Sequence, residues 1–130
     1  MEAEIDLAAT GGPDHIFNKH NGATDGFIWS INGSGFLQLM FDTGAVLTAA
    51  SDKQEPTGYH KTRATGDGTT IKLWRSEGAA LTAGPNGTSV FTEVGSYSVQ
   101  VTAGYNTGIA GSTHTKVGEY GGSYFTGKIG

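Results

Sequence analysis

The run Tyr59-His60-Lys61-Thr62-Arg63-Ala64-Thr65-Gly66-Asp67-Gly68-Thr69-Thr70-Ile71-Lys72-Leu73-Trp74 contains two polar–apolar alternations separated by Gly-Asp-Gly. Side chains on a strand point to opposite faces in turn, so Ile71 and Leu73 share one face and Trp74 takes the other. Gly66, Asp67 and Gly68 are residue types that tolerate the backbone of a tight reversal. The stretch is predicted to be a β-hairpin with Ile71 and Leu73 facing inward and Trp74 facing away.

Outward from this hairpin, the same period continues in both directions. Glu4-Ile5-Asp6-Leu7-Ala8 alternates carboxylates with apolar residues, as an edge strand with one wet face would, and residues 15–19 form a short candidate strand. Phe27, Trp29 and Ile31 fall on one face of the next strand. Asn32-Gly33-Ser34-Gly35 reverses it into Leu37, Leu39 and Phe41, and Asp42-Thr43-Gly44 leads into Ala45-Val46-Leu47-Thr48. Residues 51–57 are polar, include a proline and form the most linker-like stretch, too short to separate domains. Residues 89–94 and 97–103 read as a strand pair turning at Gly95-Ser96, and residues 113–120 turn at Gly121-Gly122 into Tyr124-Phe125. No window carries a helical i, i+3, i+4, i+7 stripe. Many short strands with regular turns indicate an all-β antiparallel two-sheet sandwich or a barrel.

Composition agrees with one domain over residues 1–130. Hydrophobic residues make up 36% of the chain, and a domain of this length buries roughly two thirds of its unfolded surface. The 22 glycines, against an average share of about 7%, fall between apolar runs, as turn residues do. The net charge is −4 and the basic residues are scattered, which argues against a nucleic-acid partner. No apolar run approaches the ~20 residues of a membrane span. The absence of cysteine excludes disulfides and thiolate metal sites. The acidic start Met1-Glu2-Ala3-Glu4 does not read as a signal peptide.

Three features follow one another in a suggestive order. They are His15-Ile16-Phe17-Asn18-Lys19-His20-Asn21-Gly22 leading to Asp25-Gly26-Phe27-Ile28-Trp29-Ser30-Ile31, then the hairpin of residues 58–74, then Thr115-Lys116-Val117-Gly118-Glu119-Tyr120-Gly121-Gly122-Ser123-Tyr124-Phe125-Thr126-Gly127-Lys128-Ile129. Together they resemble the laminin-G-like, concanavalin A-like jelly-roll family, in variants found in tailed-phage structural proteins. The resemblance spans residues 5–129 and implies a jelly-roll sandwich. Tyr59 stands where that family often has Trp, and either ring is expected to fill the core. His60 matches a family histidine packed at the sheet surface. Relative to the family, strands are missing at both ends, which implies either a fragment or an edge completed by a neighbouring subunit.

For catalysis, Glu4 and Asp6 share a strand face as paired glycosidase carboxylates do, but the third position is Ala8, so no catalytic residue is assigned. His15, His20, His60 and His114 lack a nucleophile partner or zinc spacing. Calcium is the one metal to consider, with Asp25 and Asp42 as the loop carboxylates best suited to a hard ion. For glycan binding, Trp74 is the leading residue, followed by Tyr105 and Asn106, then Tyr120 and Tyr124.

The function expected is a non-enzymatic virion structural or surface accessory, such as a capsid decoration, fibre or tail-surface module, located at the virion surface and binding glycans. Its partners would be copies of itself or neighbouring virion subunits. The alternative is an extracellular carbohydrate-binding or adhesion module of a bacterial surface protein. A jelly-roll glycoside hydrolase relative is a remote third.

Overall fold

The computed structural model describes residues 1–9, 12–20, 25–43, 46–67, 69–76, 90–98, 116–120 and 122–129. The strands are β1 (Glu2–Leu7), β2 (Asp14–His20), β3 (Asp25–Ile31), β4 (Phe36–Thr43), β5 (Val46–Gln54), β6 (Gly58–Gly66), β7 (Thr70–Ser76), β8 (Phe91–Ser98), β9 (Lys116–Val117), β10 (Glu119–Tyr120), β11 (Ser123–Tyr124) and β12 (Gly127–Ile129). Among the described residues these strands form two five-stranded antiparallel sheets. The first has the order β12-β1-β6-β7-β8 and the second β5-β4-β3-β2-β9, with β10 and β11 pairing as a small hairpin. The chain is an all-β two-sheet sandwich.

Strand alternation builds the core. The first sheet turns Ala3, Ile5, Leu7, Ala64, Ile71 and Leu73 inward, and the second contributes Trp29, Ile31, Leu37, Leu39 and Ala49. The β3–β4 ladder sets Ile31 opposite Leu37, Trp29 opposite Leu39 and Phe27 opposite Phe41, so the inward set forms successive rows. Phe27 stacks on Phe17 with ring centroids 5.5 Å apart. Each fully buried large side chain contributes about 1.5–3 kcal/mol of transfer free energy, which is why alternation dominates the register.

Several expectations are corrected. Residues 51–54 belong to β5 rather than to a linker. A bulge between β4 and β5 replaces one ladder bond with a side chain: buried Ser51 accepts the Leu37 N–H through Oγ at 3.0 Å and donates to the Lys53 carbonyl at 2.7 Å. Gly95 and Ser96 do not turn, because β8 runs straight through them. Gly95 lies where β8 crosses against β5, and a Cβ there would stand 3.1 Å from both the Ala50 oxygen and the Ser51 Cα. Residues 99–103, expected to form the returning strand, lie outside the described residues. Tyr59 does not fill the core. It is 47% exposed, because the alternation gives the inward positions of β6 to His60, Thr62 and Ala64. His60 is therefore buried between the sheets rather than packed at the sheet surface. Finally, β1 is flanked on both sides, by β12 and β6, and is not an edge strand.

Residues 116–129 link the sheets. β9 pairs with β2 and β12 with β1, while the Thr126 N–H donates to buried Asp14 at 2.6 Å and Ala8 N–H donates to the Thr126 carbonyl at 2.9 Å. Gly127 has φ +147°, and a Cβ there would overlap the Asp6 carbonyl oxygen, so only glycine lets β12 approach β1.

A charged cluster lies at the passage from β5 to β6. Glu55, 2% exposed, sits with its Oε2 2.8 Å from His60 Nε2, and the His60 Nδ1–H donates to the Gly58 carbonyl at 3.0 Å. Arg75 donates to the Gln54 carbonyl at 2.7 Å and its Nη1 lies 3.5 Å from Glu55 Oε1. Burial of such a charge is tolerated only when it is paired and hydrogen-bonded, as here.

Candidate functional site

With the inward positions of the first sheet taken by the core, its outer face carries the polar and aromatic residues of β1, β6, β7 and β8. Cross-strand registers align Glu2, Arg63, Trp74 and Glu93 in one row across four strands. Trp74 lies in the middle of this row, partly exposed and opposite in facing to buried Ile71 and Leu73, as its sequence position implied.

The indole is oriented by its neighbours. Its Nε1–H donates to the Thr65 hydroxyl at 2.9 Å, which fixes the rotation of the ring about the sheet normal. The Lys72 ammonium stands 5.6 Å from the ring centroid and is tethered to Glu93 at 2.8 Å. Beside it, Arg63 donates from Nε and Nη2 to one Glu2 oxygen at 2.9 and 2.7 Å, and its guanidinium lies 3.8 Å above the centre of the Phe91 ring. A planar cation stacked on an aromatic face and bonded at its edge is a rigid element.

The neighbouring row is Glu4 with Lys61, 2.7 Å apart, and the Tyr59 hydroxyl donates to the same carboxylate. The hydrogen bonds from Lys61 and then Tyr59 hold the Glu4 carboxyl below its usual range, and the same Glu4 contact raises both Lys61 and Tyr59. Glu4 and Asp6 do share a face, but Glu4 is held ionised by a lysine, the opposite of what a general acid requires.

Arg63, Lys61 and Lys72 are each paired with a carboxylate, so the face offers hydrogen-bonding groups around an aromatic ring with little net charge. Such a surface suits a neutral polyhydroxylated ligand, with a ring face for C–H groups and paired polar groups for hydroxyls. A polyanion would require cations not already neutralised.

The remaining candidates are distributed differently. Tyr124 is 69% exposed, but on β11, which packs with β10 against β2 of the opposite sheet, so it does not join Trp74. Tyr120 lies in β10, with its side chain outside the described residues, as are Tyr105, Asn106 and His114. Asp25 and Asp42 fall at the ends of β3 and β4, with Asp25 opposite Thr43 and Asp42 opposite Gly26. They occupy successive ladder rows rather than one cross-strand pair, and their side chains lie outside the described residues. Among the described residues, no group of three or more His, Asp or Glu is arranged to hold a metal ion. His15 and His20 are buried on β2, and burial lowers His15 from its ordinary value.

Sequence reasoning did not single out Thr65, Arg63, Phe91 or Glu93. Thr65 and Arg63 were within reach, since the hairpin register with period two puts both on the face of Trp74. Glu93 and Phe91 were not, because their position depends on a bulge between β7 and β8.

No protein-family model, no curated protein and no solved structure matches the chain. The laminin-G-like resemblance thus rests on the motifs alone.

Proposed function

We propose that the chain is a non-enzymatic binding module, a jelly-roll sandwich of concanavalin A-like type that serves as a virion surface accessory and holds glycans on the outer face of its first sheet. One observation carries the binding reading: Trp74, oriented by Thr65, lies in a cross-strand row between Arg63 and Glu93. An oriented, partly exposed indole among paired charges fits a sugar ring better than it fits a core or a catalytic centre. The jelly-roll reading is supported by the non-consecutive pairings β1–β6, β1–β12 and β2–β9, which the chain makes by crossing between the sheets as Greek-key connections do. The virion setting is supported by the motif resemblance.

Two experiments test this. On a printed glycan array the protein should be retained by a subset of glycans, unchanged in length afterwards, and Trp74→Ala should lose that retention. Shortened glycans would replace the binding reading with a hydrolytic one. Electron microscopy of the native particle should show the protein in a repeating surface lattice; its absence from any particle would remove the virion setting and leave the binding reading standing.

A further inference from the structure

The outer face of the first sheet carries a second aromatic ring in line with Trp74. β6 turns every other residue outward, so Tyr59, Lys61, Arg63 and Thr65 follow one another along that face, while His60, Thr62 and Ala64 are buried. Arg63 stands opposite Trp74 in the β6–β7 ladder, which places Tyr59 four residues along β6 from the Trp74 row. At ~3.3 Å per residue and ~4.8 Å between strands, the two positions are about 14 Å apart. Among the described residues, Tyr59 is the one exposed large apolar side chain within a strand of the first sheet. Its hydroxyl donates to Glu4, as the Trp74 Nε1–H donates to Thr65. Each ring is held by its polar edge, so little side-chain freedom is left to lose when a ligand covers its face.

The stretch between the two rings is polar. Lys61 spends one of the three N–H bonds of its ammonium on Glu4, and Arg63 bonds Glu2 through Nε and Nη2, with Nη1 outside that contact. These groups can still donate to hydroxyl and ring oxygens. Their charges are already neutralised, which does not favour a polyanion. Polar donors between two anchored rings match a linear glycan, whose sugar units each present an apolar face and a hydroxyl-bearing edge. We infer that Tyr59 is a second sugar-stacking residue, and that the site runs along β6 from Trp74 to Tyr59 and takes a neutral linear oligosaccharide of tetrasaccharide length or longer. This rests on the glycan reading of the Trp74 face and adds to it the direction and length of the chain held there. A disaccharide covers one ring and does not reach the other.

The test is calorimetric titration with cello-, xylo-, malto- and chito-oligosaccharides, from di- to hexasaccharide. In at least one series the affinity should rise about tenfold or more from di- to tetrasaccharide and then level off. Tyr59→Ala should bring the tetrasaccharide down to the disaccharide level and change disaccharide binding by less than about twofold, whereas Trp74→Ala should weaken both. Tyr59→Phe keeps the ring and gives up the bond to Glu4. It should retain most of the tetrasaccharide affinity, which a role confined to holding Glu4 would not allow. Oligogalacturonates of the same lengths should bind more weakly than the neutral chains, and tighter binding would overturn the neutral assignment. Equal affinity of the wild type and Tyr59→Ala at every length, or retention of array glycans but of none of these chains, would overturn the linear site and leave the Trp74 reading standing. Binding of no glycan at all would remove both.

Discussion

The indole N–H of Trp74 donates to the Thr65 hydroxyl at 2.9 Å across the β6–β7 ladder, so the ring on the outer face has a fixed orientation. Thr65→Val is expected to release that orientation while changing stability by no more than ~1 kcal/mol, since the bond is solvent-exposed. Glycan affinity should fall about threefold. Trp74→Ala should lower it about tenfold or more, with calorimetric titration as the measurement.

Glu55 lies between His60 and Arg75 in the interior. Glu55→Ala removes the shared carboxylate and leaves a guanidinium buried without it. The expected cost is about 3–5 kcal/mol, read as a lower urea midpoint with an unchanged slope. Glu55→Gln, which keeps the shape, should cost less.

Gly95 stands at the contact between β8 and β5, where a Cβ would meet backbone on the facing strand at 3.1 Å. Gly95→Ala is expected to destabilise by about 1–3 kcal/mol through overpacking. Gly66→Ala is the control. Its Cβ would meet nothing nearer than 3.7 Å, and it should be neutral or stabilising by up to ~1 kcal/mol. Urea denaturation of the two variants measures the contrast.

Burial, set against the nearby Asp14 and Glu119 carboxylates, lowers the folded-state His15 below the ordinary 6.5. As pH falls below 6.5, the unfolded chain takes up a proton at this position before the folded one does, so stability declines from that value downward. His15→Gln should make the loss between pH 7.5 and 5.5 smaller than in the wild type, as unfolding free energies at the two pH values would show. Equal losses would remove His15 from the account.

The sequence made the sandwich and the outward Trp74 readable, because both follow from alternation within a few residues. Ile71 and Leu73 inside and Trp74 outside need only period two and the Gly-Asp-Gly turn. What escaped depends on partners distant in the chain. Ser51 extends β5 because its hydroxyl substitutes for a ladder bond to Leu37, and a polar run gives no sign of that. Gly95 is a glycine because another sheet lies against it, which looks the same in sequence as a turn. His60 shares its buried cluster with Arg75, whose place is set by a hairpin register, and with Glu55, whose place is set by the passage between sheets. The Trp74 face was half legible, through Arg63 and Thr65, and its other half waited on the bulge that aims Glu93.

The central claim is that glycans are held on the outer face of the first sheet, and backbone 15N–1H shift mapping with a soluble oligosaccharide chosen from array binders tests it most directly. Saturable shifts concentrated at Arg63, Thr65, Lys72, Trp74 and Glu93 are the expected result. Shifts confined to the β10–β11 hairpin around Tyr124, or no saturable shift with any array glycan, would contradict it.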